Sequence, residues 1–166
     1  MCEESGKMYF IKDFYYRVIN VIRWIPTIWK DNDWDHAFLY KILRKKISHM
    51  EKYFRIDGHH LNSDKEADQM KVTVNILDRL INDDYLSNAL KPHKEKWGEM
   101  EFKFNKCEDS NLSTLEFIYE KANTEKEKKQ CRKEFKLAGD HSEYMLNQDL
   151  EYLLKLFRKY IRHWWD

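Results

Sequence analysis

Apolar positions recur at spacings of three and four along most of this chain, and that period reads as amphipathic helix. Phe14, Val18, Val21, Ile22 and Ile25 mark a first helix from Phe14 to about Trp24. Asp13 stands where its N-cap belongs, and Pro26 kinks or ends it. Residues 1–12 carry few core signals and are expected to fray or lie across the surface. The second helix, Trp34 to about Phe54, has the clearest stripe: Tyr40, Leu43, Ile47, Met50 and Phe54. Asp57-Gly58 follows as a stop. Ser63 and Glu66 form a capping-box pattern that opens a third helix, with Ala67, Met70, Val74, Leu77 and Ile81 inward. The last helix, capped within Asp140–Glu143, carries Leu146, Leu150, Leu153, Phe157, Tyr160 and Trp164 to the end of the chain.

Between residues 82 and 139 the pattern weakens. Asp83 or Asp84 caps a short helix expected to end before Pro92. Glu101–Phe104 alternates, but four residues do not separate strand from loop. Ser113 and Glu116 repeat the capping-box pattern and predict a fourth helix with Leu115, Ile118 and Ala122 inward. Its apolar face resumes at Cys131 and Phe135, and Gly139 is expected to end it. The whole reads as one all-α domain over residues 1–166, an antiparallel helical bundle of four to five main helices. The terminal Trp164-Trp165-Asp166 is expected to dock on the Trp24–Trp34 region.

Composition agrees with helices. The 166 residues include 4 Gly and 2 Pro, too few for the hairpins of a β-sandwich. Apolar runs are too short for a membrane span. Thirty Lys and Arg against 29 Asp and Glu give a net charge of +1, unlike a protein that coats extended nucleic acid. Three cysteines without a CxxC pair, and an acidic N-terminus without an apolar core, point to a reducing cytoplasm.

Catalytic signatures are missing. The chain holds no phosphate-binding glycine loop, no HExxH and no GxSxG. Asp31, Asp33 and Asp35 open like a calcium loop, but His36 stands where the turn needs Gly and Ile42 where the bidentate Glu belongs. These acids read better as caps meeting the positive end of helix two. His59-His60 reads as a plain turn pair. No metal site, cofactor or catalytic residue is assigned.

The aromatic and basic residues are more suggestive. Trp24, Trp29 and Trp34 cluster, and Trp29 lies on no core stripe. Lys41, Arg44, Lys45, Lys52 and Arg55 line the polar side of helix two, while Lys155, Arg158, Lys159 and Arg162 do so on the last helix. Indole rings can stack on a base, and Arg or Lys can pair with phosphate. Trp29, Trp34, Lys41, Arg44, Lys45, Arg158 and Arg162 are therefore the candidate ligand-binding residues.

The segment Ile22–Asp35, with its WKDNDWD, then Leu39-Tyr40, Lys46 and Met50-Glu51, resembles a family of small accessory proteins of tailed bacteriophages. The ending from Leu156-Phe157 to Trp164-Trp165-Asp166 is similar to theirs as well. The resemblance implies a protein acting in the cytoplasm of an infected bacterium. By analogy with small phage proteins that sequester the nucleotide messengers of bacterial immunity, it implies a non-catalytic anti-defence protein, with homo-oligomers as a common form. Two alternatives stand beside it. One is an interaction protein that inhibits a host protein through an aromatic and basic helix face. The other is a metal-dependent enzyme on nucleotides, with Asp31, Asp33, Asp35 and His36 as its centre.

Overall fold

The computed structural model describes residues 3–29, 35–58, 61–106 and 113–164. Among them are five helices and one two-stranded sheet. The chain divides into two compact units, residues 1–77 and 78–166.

The first unit holds α1 (Glu3–Ile28), α2 (Ala37–Asp57) and most of α3 (Ser63–Asn82). α1 begins ten residues before Asp13, so the expected frayed start is helical from Glu3. Pro26 sits inside its last turn. The ring removes one backbone donor, but the Trp29 amide still reaches the Ile25 carbonyl at 2.8 Å, and the helix passes through. α2 starts at Ala37, whose amide donates to the Asp35 carboxylate at 2.9 Å. That bond holds the Asp35 carboxyl below its ordinary pKa, helped by Lys41. Asp35 thus acts as an acid at the head of α2, as expected; Asp31, Asp33 and Trp34 lie outside the described residues. Gly58 closes α2 where the sequence places its stop. Ile47 and Phe54 of the predicted stripe are buried, and Tyr40, Leu43 and Met50 half-buried. Lys45 ties α2 to α1: its ammonium donates to the Arg23 carbonyl and to Thr27 Oγ1 (2.7 Å), and lies 5.1 Å over the Trp24 ring. In α3, Ala67, Met70 and Leu77 are fully buried, together with Thr73, which donates back to the Gln69 carbonyl.

The second unit holds the end of α3, then α4 (Tyr85–Trp97), β1 (Met100–Lys106), β2 (Ser113–Tyr119) and α5 (Glu125–Tyr160). Here the structure departs from the sequence pattern three times. Residues 113–119 form a strand, not a helix start. Thr114, Phe117, Ile118 and Tyr119 are good strand formers, and the segment pairs antiparallel with β1 in the register Met100↔Tyr119 to Lys106↔Ser113. Phe102 and Phe117 face each other with ring centroids 5.5 Å apart. The working capping box lies eleven residues later, where Thr124 accepts from the Glu127 amide and Glu127 accepts from the Thr124 amide. Next, α5 does not stop at Gly139 but runs unbroken to Tyr160. Lastly, Pro92 lies inside α4, because the turn beyond it carries the buried His93 and Trp97 that pack the helix on α5.

The core of this unit joins Trp97, Tyr119, Ala122 and Cys131, with Met100 and Phe135 against them. His93 Nε2 lies 3.1 Å from the Cys131 carbonyl, and its ring meets Tyr119 and Phe135 edge-on. Glu134 gathers Trp97 Nε1 (2.7 Å), Lys96 Nζ (2.6 Å) and Gln130 Nε2 (2.9 Å), which lower its pKa to about 2. Gly98 turns the chain out of α4 at φ 81°. Trp164 is 2% exposed and meets Phe157 edge-on. Trp165 and Asp166 lie outside the described residues, and so does that part of the expected terminal docking.

Candidate ligand pocket

The second unit contains a cavity of about 380 Å³, within the usual size of small-ligand sites. Its walls come from the end of α3, the start of α4 and the middle of α5. The turn from α3 to α4 is short. Asp83 adopts φ 50°, and its amide closes on the Arg79 carbonyl at 3.0 Å, a left-handed helix ending that Asp tolerates. The Asp84 carbonyl then accepts from the Asn88 amide and starts α4. This reversal points Arg79, Asn82, Tyr85 and Asn88 into one cavity. α5 answers with Ser142, Met145 and Asp149, spaced three and four apart on one face, and with His141 beside them.

Asp149 organises the wall. Its carboxylate is nearly buried and accepts three hydrogen bonds. Arg79 donates twice, from Nε (2.7 Å) and Nη2 (2.5 Å), and the Tyr85 hydroxyl donates at 2.7 Å. The guanidinium beside it holds the Asp149 carboxyl below its ordinary pKa, against the opposing effect of burial. Arg79 is raised by the same bond, and burial with the nearby carboxylate pushes Tyr85 well up, so its hydroxyl stays protonated. Arg79 spends two of its five N–H donors on Asp149; its side chain is 53% exposed and lines the cavity. Asp84 and Asp149 outnumber Arg79 in the lining, which therefore carries a formal charge of about −1. The chemistry on offer is hydrogen bonding, one guanidinium and the apolar surface of Tyr85, Ala89 and Met145.

None of these groups is among the residues that sequence reasoning selected. Of that set, Trp29 follows the last residue of α1 at 85% exposure, Lys41 pairs with Asp35 at 3.4 Å, Lys45 is engaged with α1, and Arg44 is exposed on α2; all four belong to the first unit. Arg158 and Arg162 are exposed in the second unit, and Trp34 is not described. The structure brings Lys45 to Trp24 and not to Trp29. The one local signal for the pocket was Asp149, an acid flanked by Leu146, Leu150 and Leu153 on the last helix's stripe. Among the described residues no three His, Cys, Asp or Glu gather as metal ligands, and the His59-His60 pair lies outside them. No described helix is long and apolar enough to cross a membrane. No family model, curated protein or solved structure matches the chain.

Proposed function

We propose that this is a non-catalytic binding protein that takes a planar nucleotide-type ligand in the pocket of its second unit. The observation that carries the reading is the Arg79–Asp149–Tyr85 wall of a 380 Å³ cavity, built across α3, α4 and α5 and tied by its own hydrogen bonds. A preorganised wall binds without the cost of ordering itself. Asn82, Asn88 and Ser142 supply donors and acceptors for the edge of a base, Tyr85 and Met145 supply apolar area, and the half-exposed Arg79 suits one phosphoryl group. Two lining carboxylates against one guanidinium disfavour a polyphosphate. In the setting that the resemblance implies, such a protein sequesters a nucleotide immune messenger in the cytoplasm of an infected bacterium.

Calorimetry with nucleosides, nucleoside monophosphates, cyclic nucleotides and ADP-ribose tests the proposal. Binding is expected for a ligand with one phosphoryl group, weakened at least tenfold in Asn88→Ala. No heat and no thermal shift with any of them overturns it. A second reading, inhibition of a host protein through an aromatic and basic helix face, is supported by Tyr53 and Ile56 exposed beside Lys52 on α2. A stoichiometric host protein retained from bacterial lysate, with no small-molecule binding, favours that reading instead.

A further inference from the structure

α1 carries a second pattern that its own unit leaves unused. Ile11, Phe14, Val18, Val21, Ile25 and Ile28 follow spacings of three, four, three, four and three. This is the a/d repeat of a coiled-coil seam, sustained for about 26 Å at 1.5 Å per residue. All six are exposed, between 39% and 66%. Tyr15, Ile22 and Trp29, seven residues apart, widen the stripe along one flank and are exposed at 61%, 61% and 85%. The other side of the helix is where the unit closes. There Ile19, Trp24 and Thr27 are half-buried, and Lys45 reaches the Arg23 carbonyl and Thr27.

We infer that α1 is the self-association helix of this protein, and that its seam is covered by α1 of a second copy. Three observations select that occupant. The nine side chains leave roughly 1,000 Å² exposed, taking aromatic rings at about 150–250 Å² each. That exceeds the few hundred Å² a monomer ordinarily leaves as one patch, and it meets the ~800 Å² per partner of a stable interface. A three-four seam is shaped to receive the knobs of another helix with the same repeat. A two-fold pair of identical helices supplies that partner without any second protein. The seam itself bears no charge: Lys12, Asp13, Arg17 and Arg23 all stand off it, with Arg17 and Asp13 paired to each other at 2.8 Å. The inference does not rest on the ligand pocket, which lies in the other unit.

The test is light scattering and analytical ultracentrifugation of the full chain from 1 to 100 µM, beside the double variant Val18→Glu/Val21→Glu. The wild type is expected to be a dimer at the upper end. The variant should associate at least a hundredfold more weakly, since each carboxylate would be buried unpaired. Both positions are exposed in the single chain, so the variant's far-UV circular dichroism is expected to match the wild type. A wild type that stays monomeric throughout overturns the inference, whether or not it floats with phosphatidylcholine vesicles or retains a host protein. A dimer that survives the double substitution unweakened overturns it too.

Discussion

Alanine at two glycines should move stability in opposite directions. Gly139 lies in the fifteenth position of α5, and a Cβ built there meets nothing within 4 Å. Alanine removes the entropic cost of a mid-helix glycine, about 0.5–1 kcal/mol. Nothing has to move to admit the methyl group, so Gly139→Ala should stabilise by that amount and raise the transition by roughly 1–4 °C in a chain of this size. Gly98 is the contrary case. Its φ of 81° and ψ of −166° belong to a region essentially reserved for glycine. A Cβ there would stand 2.8 Å from Glu120 Oε2 and 2.9 Å from Glu120 Cβ. Gly98→Ala should therefore cost about 1–3 kcal/mol. Thermal melts followed at 222 nm measure both. If two helices met at Gly139 through a left-handed cap, Gly139→Ala would lower the melting temperature. That result would refute the continuous α5.

Asp149→Asn should cost about 2 kcal/mol, because charge-assisted bonds are worth roughly 1.5–3 each and the half-exposed Arg79 recovers part of the loss from water. The folded-state pKa of Asp149 is depressed, so its contribution is present above the ordinary Asp range and is lost as acid protonates the carboxylate; in urea titrations the gap between wild type and variant should close at low pH. Glu134, at about 2, contributes above its ordinary value of 4.5 and loses that contribution as pH falls towards 2, so Glu134→Gln should flatten this acid limb. An unchanged limb would show that the Lys96–Trp97–Gln130 cluster does not persist in solution. Trp164→Ala should cost about 3–5 kcal/mol, read by chemical denaturation, since the indole is 2% exposed; a neutral result would mean that the end of the chain is undocked.

The helix stripes were legible because they are local. Ile47, Phe54, Ala67, Met70, Leu77, Leu153 and Trp164 are buried where spacing put them. Motifs of four residues failed where two states shared them. Ser113-Thr-Leu-Glu116 satisfies a capping box, but the residues after it are β-branched and aromatic, and pairing with β1 overrides the cap. Gly139 and Pro92 read as breakers. Tertiary packing of α4 on α5 outweighs the roughly 1–3 kcal/mol that a glycine or a proline costs inside a helix. The pocket was illegible for a different reason: Arg79 and Tyr85 meet Asp149 across 70 and 64 residues, and no local window contains such a pair.

Charge runs and buried charges therefore carry different information in this chain. The basic residues that drew attention on α2 are largely exposed, or spent nearby: Lys41 on Asp35, Lys45 on α1, and Arg55 on Glu51 and Asp68. Pairs of that kind hold helices in place and are worth little to a ligand. Arg79 differs because its partner is nearly buried, and the two bonds fix the guanidinium plane while the side chain stays half exposed. A fixed, half-exposed cation selects by geometry, whereas a row of mobile lysines selects by net charge. The first favours one phosphoryl group on a shaped ligand; the second would have favoured the most highly phosphorylated competitor in the cell. With Asp84 and Asp149 both lining the cavity against the single Arg79, each further phosphate charge on a ligand would meet net repulsion there.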